Sequence, residues 1–229
     1  MTLQEAIQAR HSVRAYQEQP LTDADARALQ EKIDEVNRKG RLHIQLIRNE
    51  PKAFLGPFAR YGKFSGVTDY LVMIGEKSAD LDERIGYYGE QLVLFAQTIG
   101  LNTCWVGLSY TKIPGTYVLN NSEVIQAYIA IGYGKTQGVS HKIKRIDQVS
   151  NILDDSPEWF RRGVEAALLA PTAINQQKFS FELLPSKAGQ VPRVVAKRHF
   201  SLVGYTQMDL GIAKYHFEVA AGTGNFQWA

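Results

Sequence analysis

The 229-residue chain has one cysteine, Cys104, which excludes an intramolecular disulfide and any cysteine-rich metal centre. Its neighbours Thr103, Trp105 and Val106 read as a buried strand, so an inert core thiol is expected. No apolar run is long enough to span a bilayer. The start, Met1-Thr2-Leu3-Gln4-Glu5, lacks the basic and apolar regions of a signal peptide, so a cytoplasmic protein without a membrane partner is expected. Excess charge is also scarce: 26 Lys and Arg face 23 Asp and Glu, a formal net charge of +3. That balance favours anionic ligands weakly and does not argue for nucleic acid. No G-x-G-x-x-G turn joins a strand to a helix, and no G-x-S-x-G elbow appears. The histidines His11, His43, His141, His199 and His216 show no metal-ligand spacing, so no metal site is expected. Gly134-Lys135-Thr136 looks like the end of a phosphate loop, but Ile129 stands where its first glycine would be and no helix pattern follows.

With 45% hydrophobic residues the chain can bury a full core. Thr22 to Arg38 reads as a helix capped by Thr22 or Asp23, with Leu29, Ile33 and Val36 on one face and Gly40 at its end. Strands are expected at Leu42 to Arg48, Tyr70 to Gly75, Thr103 to Gly107 and within Glu123 to Gly134, with an irregular loop between the first two. Ile85, Tyr88, Leu92, Phe95 and Ile99 mark a long amphipathic helix closed by Gly100. After Ser150 the plan returns. Ser156 caps a helix beginning at Pro157 with Phe160, Val164 and Leu168 on one face, and Pro171 stops it. Phe179 to Leu184 and His199 to Gly204 read as strands. A helix carrying Met208, Ile212, Tyr215 and Val219 closes at Gly222, and Trp228 echoes Trp105. The pattern indicates an α+β fold of two related halves, 1–150 and 151–229, together one compact unit.

Four segments carry chemical content. Arg10-His11-Ser12-Val13-Arg14 places two guanidiniums, an imidazole and a hydroxyl at the end of a short helix; it is either an anion holder or a solvated basic helix end. Gly100 to Leu108 ends a strand in Trp-Val-Gly-Leu, where backbone amides meet little side-chain obstruction, or it is plain core. Lys142, Lys144 and Arg145 form a basic loop. Pro171-Thr172-Ala173-Ile174-Asn175-Gln176-Gln177 is a helix stop with polar groups that could read the edge of a heterocycle, or a simple turn.

Together these segments, with Ile129-Ala130-Ile131-Gly132-Tyr133-Gly134, make the chain resemble the flavin-dependent nitroreductase family. The resemblance implies a nitroreductase-like α+β fold and FMN as cofactor, with NADH or NADPH as electron donor and a small nitro-aromatic or quinone-like acceptor. It implies that the Arg10, His11 and Ser12 segment and Lys142, Lys144 and Arg145 hold the phosphate and ribityl chain, with Arg14 near the flavin's pyrimidine edge, where its charge can offset that of reduced flavin. Trp105, Val106, Gly107 and Leu108 would contact the cofactor, with the Gly107 and Leu108 amides by the flavin N5, and the Phe54 to Gly66 loop would be either a lid over the flavin or a source of further ribityl and pyrimidine contacts through Lys63. Pro171, Thr172, Ala173 and Asn175 would complete the site. The family's A-P-S-x-x-N-x-Q-P loop normally follows the first helix, where this chain has Asp34-Glu35-Val36-Asn37-Arg38; the match lies instead at Ala170 to Gln177. Typical members are homodimers sharing their sites, so the displacement implies an internally duplicated chain acting as an intrachain pseudo-dimer and a monomer in solution. Gln177-Lys178 departs from the usual Gln-Pro-Trp. The flavin would carry the chemistry, so no acid or base side chain is assigned. A flavin-binding or structural protein without turnover is the alternative.

Overall fold

The computed structural model describes residues 1–187 and 189–229. The chain forms two compact units, one of Met1–Leu81 and Tyr88–Ser140, the other of Asp82–Tyr87 and His141–Ala229. The expected boundary at 150 falls after the observed one, so Lys142, Lys144 and Arg145 go with the second unit.

In the first unit, α1 (Leu3–Ala9) opens on a capping box, with Glu5 N donating to Thr2 Oγ1 at 3.2 Å and Thr2 N to Glu5 Oε2 at 2.7 Å. Thr22 caps α2 (Asp23–Gly40), accepting from Asp25 N at 3.1 Å, and Leu29, Ile33 and Val36 are fully buried. Gly40 is the last helical residue rather than the terminating one: a Cβ there would lie 2.6 Å from the Tyr88 ring, and Arg41 takes the left-handed conformation at φ 49°. The strand expected from Leu42 is only β1 (Gln45–Ile47). Before it the pairing with the neighbouring strand persists only as a bridge from Leu42 to Gly75, with His43 N donating to Ile74 O at 2.9 Å, while the Asn37 side chain takes the outward N–H and C=O of Ile44 at 2.8 and 2.9 Å.

Where an irregular loop was expected, Glu50 caps a 3₁₀ turn at Pro51–Phe54 and α3 (Pro57–Tyr61) follows. Then come β2 (Asp69–Glu76), α4 (Leu81–Thr98), β3 (Asn102–Val106) and β4 (Glu123–Gly132). The sheet order is β1-β2-β4-β3, every neighbouring pair antiparallel. β2 is the apolar centre, with Tyr70 through Ile74 fully buried, as its uninterrupted hydrophobic run requires. Gly134 packs against Asn102, to whose Oδ1 it donates at 3.0 Å, so the Gly-Lys-Thr run is a packing feature.

The second unit contains α5 (Glu158–Leu168), β5 (Phe179–Leu183), β6 (Arg193–Arg198), α6 (Thr206–Ala221) and β7 (Gln227–Trp228). β5 pairs antiparallel with β6, and β6 parallel with β7. Two expectations fail here. Pro157 is the cap of α5 rather than its first residue, while Ser156 Oγ accepts instead from Leu153 N at 2.8 Å. The strand placed at His199 to Gly204 lies earlier, at Arg193–Arg198: there Val194 is fully buried, whereas Phe200 and Leu202 are 80% and 93% exposed. The core gathers on Phe217, stacked on Phe181 at 4.8 Å and flanked by Phe226 at 5.1 Å and Trp228 at 5.4 Å. Among the described residues no helix is long and apolar enough to cross a membrane.

Two glycines let the first turns of α4 approach α6. A Cβ on Gly86 would lie 2.1 Å from the Met208 carbonyl oxygen, and one on Gly211 2.1 Å from that of Glu83. Backbone cannot yield as a side chain tip can, so Gly211→Ala is expected to cost about 2–3 kcal/mol. A urea titration reads this as a lowered midpoint; an unchanged midpoint would show that the two helices do not meet so closely.

Candidate functional site

The Arg10–Arg14 cluster is not a solvated helix end. α1 stops at Ala9, and the chain continues extended, bridged at Ser12 to Thr103, at Ala15 to Ser65 and at Tyr16 to Gly134. Val13 N donates to Thr103 O at 3.0 Å and Ser65 N to Arg14 O at 2.9 Å. Extended backbone alternates its side chains. Val13 is accordingly buried and Arg14 exposed, with Ser12 half-buried. His11 is also half-buried, its Cβ so near Gly138 that a Cβ on that glycine would lie 2.7 Å away.

Arg10 is only 4% exposed. Burial pushes its pKa down, and the charge of fully buried Glu90 opposes that shift. Trp105 Nε1 donates to Glu90 Oε2 at 2.8 Å. Arg10 and Trp105 thus serve a buried charge network, where the sequence presents only a row of cations. Cys104 is buried and free, and burial raises its pKa against the opposing influence of Arg14, a Ser12 hydrogen bond and Arg10.

Gly107 and Leu108 follow the last ladder pair of β3, Val106 with Tyr128; Val106 is core and Leu108 is 77% exposed. The loop beyond them is fixed in place. Tyr110 stacks on Tyr128 with ring centroids 3.8 Å apart, and Thr111 N donates to Ala53 O at 2.8 Å. A Cβ on Gly62 would meet Ser109 Cβ at 2.6 Å, which brings the end of α3 against this loop. Lys63 comes next, exposed and left-handed at φ 60°. Phe64 lies under the Arg14 guanidinium, 6.0 Å from carbon to ring centroid. The first unit therefore gathers Ser12, Arg14, Lys63 and the Gly107–Leu108 backbone into one neighbourhood.

The second unit joins the basic loop to the polar loop through Gln177, a residue assigned no role from sequence. Gln177 is 3% exposed. Its Oε1 accepts from Lys144 N at 2.9 Å, its Nε2 donates to Lys142 O at 2.9 Å and Asn175 Oδ1 at 2.8 Å, and its carbonyl accepts from Lys144 Nζ at 2.6 Å. Asn175 Nδ2 also donates to Lys142 O, at 2.8 Å, and Thr172 Oγ1 accepts from Gln177 N at 3.1 Å. Burial, and then the charge of Lys178, lower the Lys144 pKa. Arg145 is occupied by Asp147 through two hydrogen bonds, leaving Lys142 exposed. Pro171 and Ala173 are half-buried. Ile174, Asn175 and Gln177 all have positive φ, at 46°, 58° and 46°; for a β-branched residue such as Ile174 this is a strained conformation, and its side chain is 79% exposed. Gln177→Ala removes the partner of several buried groups, so a loss of about 2–3 kcal/mol in chemical denaturation is expected. An unaltered denaturation curve would dismiss Gln177 as the join.

Asp209, at the start of α6 and 3% exposed, anchors the same loop by accepting from Ala173 N at 3.0 Å and Gln176 Nε2 at 2.7 Å. Burial nevertheless pushes its pKa up to about 6 from 3.8. A raised acid pKa means the folded state holds a proton that the unfolded chain releases. Its contribution is therefore present below pH 3.8 and lost as pH rises to about 6. At about 1.4 kcal/mol per unit this amounts to about 3 kcal/mol. Asp209→Asn should remove that dependence, and stability measured at several pH values across the window checks it: parallel curves for the two proteins would refute the assignment.

The family described as "Putative TM nitroreductase" matches residues 2–221 of this chain. Among solved structures, a "putative nitroreductase" from Thermotoga maritima is 22% identical with a TM-score of 0.65, covering 96% of this chain and 83% of its own. One from Desulfovibrio desulfuricans, solved in complex with FMN, is 17% identical with a TM-score of 0.52, covering 68% of this chain and 96% of its own. Another complex with FMN, from Exiguobacterium sibiricum, is 17% identical with a TM-score of 0.51, covering 65% of this chain and 95% of its own. These likenesses establish a shared α+β fold. No curated protein matches the chain.

Proposed function

The chain belongs to this nitroreductase family, and from that premise we propose that it is an FMN-dependent oxidoreductase taking electrons from NADH or NADPH and passing them to a small nitro-aromatic or quinone-like acceptor. The observation that carries the reading is the bridge between Ser12 and Thr103, which sets the basic segment alongside the strand ending at Gly107 and Leu108. The donor set suits FMN: an exposed permanent cation at Arg14, a hydroxyl at Ser12, a second cation at Lys63 and strand-end backbone with little side-chain obstruction. When bound, FMN supplies the hydride and electron chemistry, and the protein's part is binding, orientation and charge.

His11 and Ser12 serve the phosphate and ribityl end, and the Gly107 or Leu108 amide orients the ring. Arg14 favours the more negative, reduced form of the cofactor. Arg10 supports this segment from within. For the second unit, the resemblance leaves Lys142 and the Pro171–Ala173 edge as proposed cofactor contacts, with Asn175, Lys144 and Arg145 holding their loops in shape.

The displaced loop suits a chain of two related halves, and one device recurs in both units. Trp105 donates its indole N–H to Glu90 on the preceding helix, and Trp228 donates to Glu218 on its preceding helix at 2.5 Å.

Purified protein is expected to be yellow, or to become so on reconstitution with FMN, and to bleach anaerobically with NADH or NADPH. Protein that takes up no FMN would refute the flavin reading; a yellow protein that neither donor bleaches would favour a binding module. Arg14→Ala should lower the reduction potential of bound flavin. An unchanged potential in a fully loaded variant would remove Arg14 from that role.

A further inference from the structure

The segment between β1 and β2 carries an aromatic and basic face that the flavin reading leaves unused. Leu55, Phe58 and Tyr61 recur every third residue and are 61%, 66% and 88% exposed. α3 buries Ala59 alone. Its position is nonetheless fixed, because Phe54 and Phe64 on either side are buried with ring centroids 5.1 Å apart, and Gly56 and Gly62 press against Thr111 and Ser109. An element so placed keeps two large aromatic rings in water, where they are open to a ligand.

The charges around it are of one sign. Lys52, Arg60 and Lys63 are exposed, and none enters an ion pair among the described residues. The neighbouring acid, Glu50, is committed inward to Lys52 N, Ala53 N and the Tyr70 hydroxyl. Uncompensated cations beside exposed rings select a planar heteroaromatic group bearing phosphate, the ring stacking and the phosphate meeting Arg60 and Lys52. The face continues into Lys63 and the Ser109 loop, both part of the neighbourhood assigned to FMN.

We propose that Phe58, Tyr61 and Arg60 form the subsite for the adenosine-phosphate half of the nicotinamide donor. The identity of the ligand rests on the oxidoreductase reading, but its binding can be measured without any flavin reaction. The probe is ADP, titrated calorimetrically into the full chain with FMN added, alongside 2′,5′-ADP. Phe58→Ala and Tyr61→Ala should each weaken ADP binding about fivefold or more, as expected for a lost base-stacking partner. Tyr61→Phe should keep wild-type affinity within about twofold, and Arg60→Gln should weaken binding and its salt dependence. Tighter binding of 2′,5′-ADP would identify NADPH as the donor. FMN absorbance and melting temperature, unaltered in all four variants, show that the fold is intact.

ADP affinities equal across wild type and the alanine variants would overturn the proposal, as would a wild type that does not bind ADP at millimolar concentration. Variants that lose only binding to anionic phospholipid vesicles would overturn it too, making the face a membrane contact. A colourless protein whose ADP binding still depends on Phe58 and Tyr61 would sink the flavin reading while leaving the nucleotide subsite standing.

Discussion

Glu90 is a carboxylate removed from water, and the first unit is organised around keeping it paired. A buried charge is tolerated only with partners; removing one typically costs several kcal/mol because the other is stranded. Trp105 supplies a hydrogen bond from β3, and Arg10 supplies an opposing charge from the end of α1. The base of the Arg10–Arg14 segment is thereby tied to both a helix and a strand. From that fixed end the extended chain bridges Thr103, Ser65 and Gly134 in turn, and alternation alone then decides that Val13 faces the core and Arg14 does not.

Glu218 plays the corresponding part in the second unit, accepting from Trp228 and from the Tyr87 hydroxyl. Lys214 reinforces it, ion-paired to Glu83 at 2.7 Å and 5.0 Å from the Trp228 ring centroid. The polar loop depends on a different device. A left-handed Ile174 is unfavourable by about 1–2 kcal/mol on backbone grounds, and it is the bonds of Gln177, Asn175 and Asp209 that hold the loop against it. The strain is retained at an exposed side chain and enforced from within the loop.

Elements with a strong internal period were legible in the sequence. The i, i+4, i+7 spacing of Leu29, Ile33 and Val36, and the unbroken run of β2, left little choice of structure. What failed to show was decided by single side chains acting on distant backbone. Asn37 occupies the outward backbone groups of Ile44, an interaction without periodic signature. The run from His199 to Gly204 was apolar enough to be taken for a strand, yet pairing went to Arg193–Arg198, whose charged ends face solvent while Val194 enters the core. The site was legible as residue types but not as roles: Arg10 and Arg14 are the same amino acid four positions apart, and only the presence of Glu90 separates them. Gln177 matched the motif's glutamine, with the departure at Lys178, but its bonds lie entirely within the fold and leave no signature of that role in the sequence.

That separation of roles is what gives the remaining cations their meaning. Of the basic residues singled out, Arg10 answers Glu90, Arg145 answers Asp147, and Lys144 answers the Gln177 carbonyl. A cation already engaged has less to gain from a phosphate, whereas an exposed one outside any ion pair gains the full charge-assisted bond. Arg14, Lys63 and Lys142 are exposed, and no ion pair of the described residues includes them. The cations open to an anion are therefore fewer in each unit than a count of positive charges implies. The structural ion pairs act earlier: they hold the segments on which those residues stand, so that binding an anion need not also order the chain that receives it.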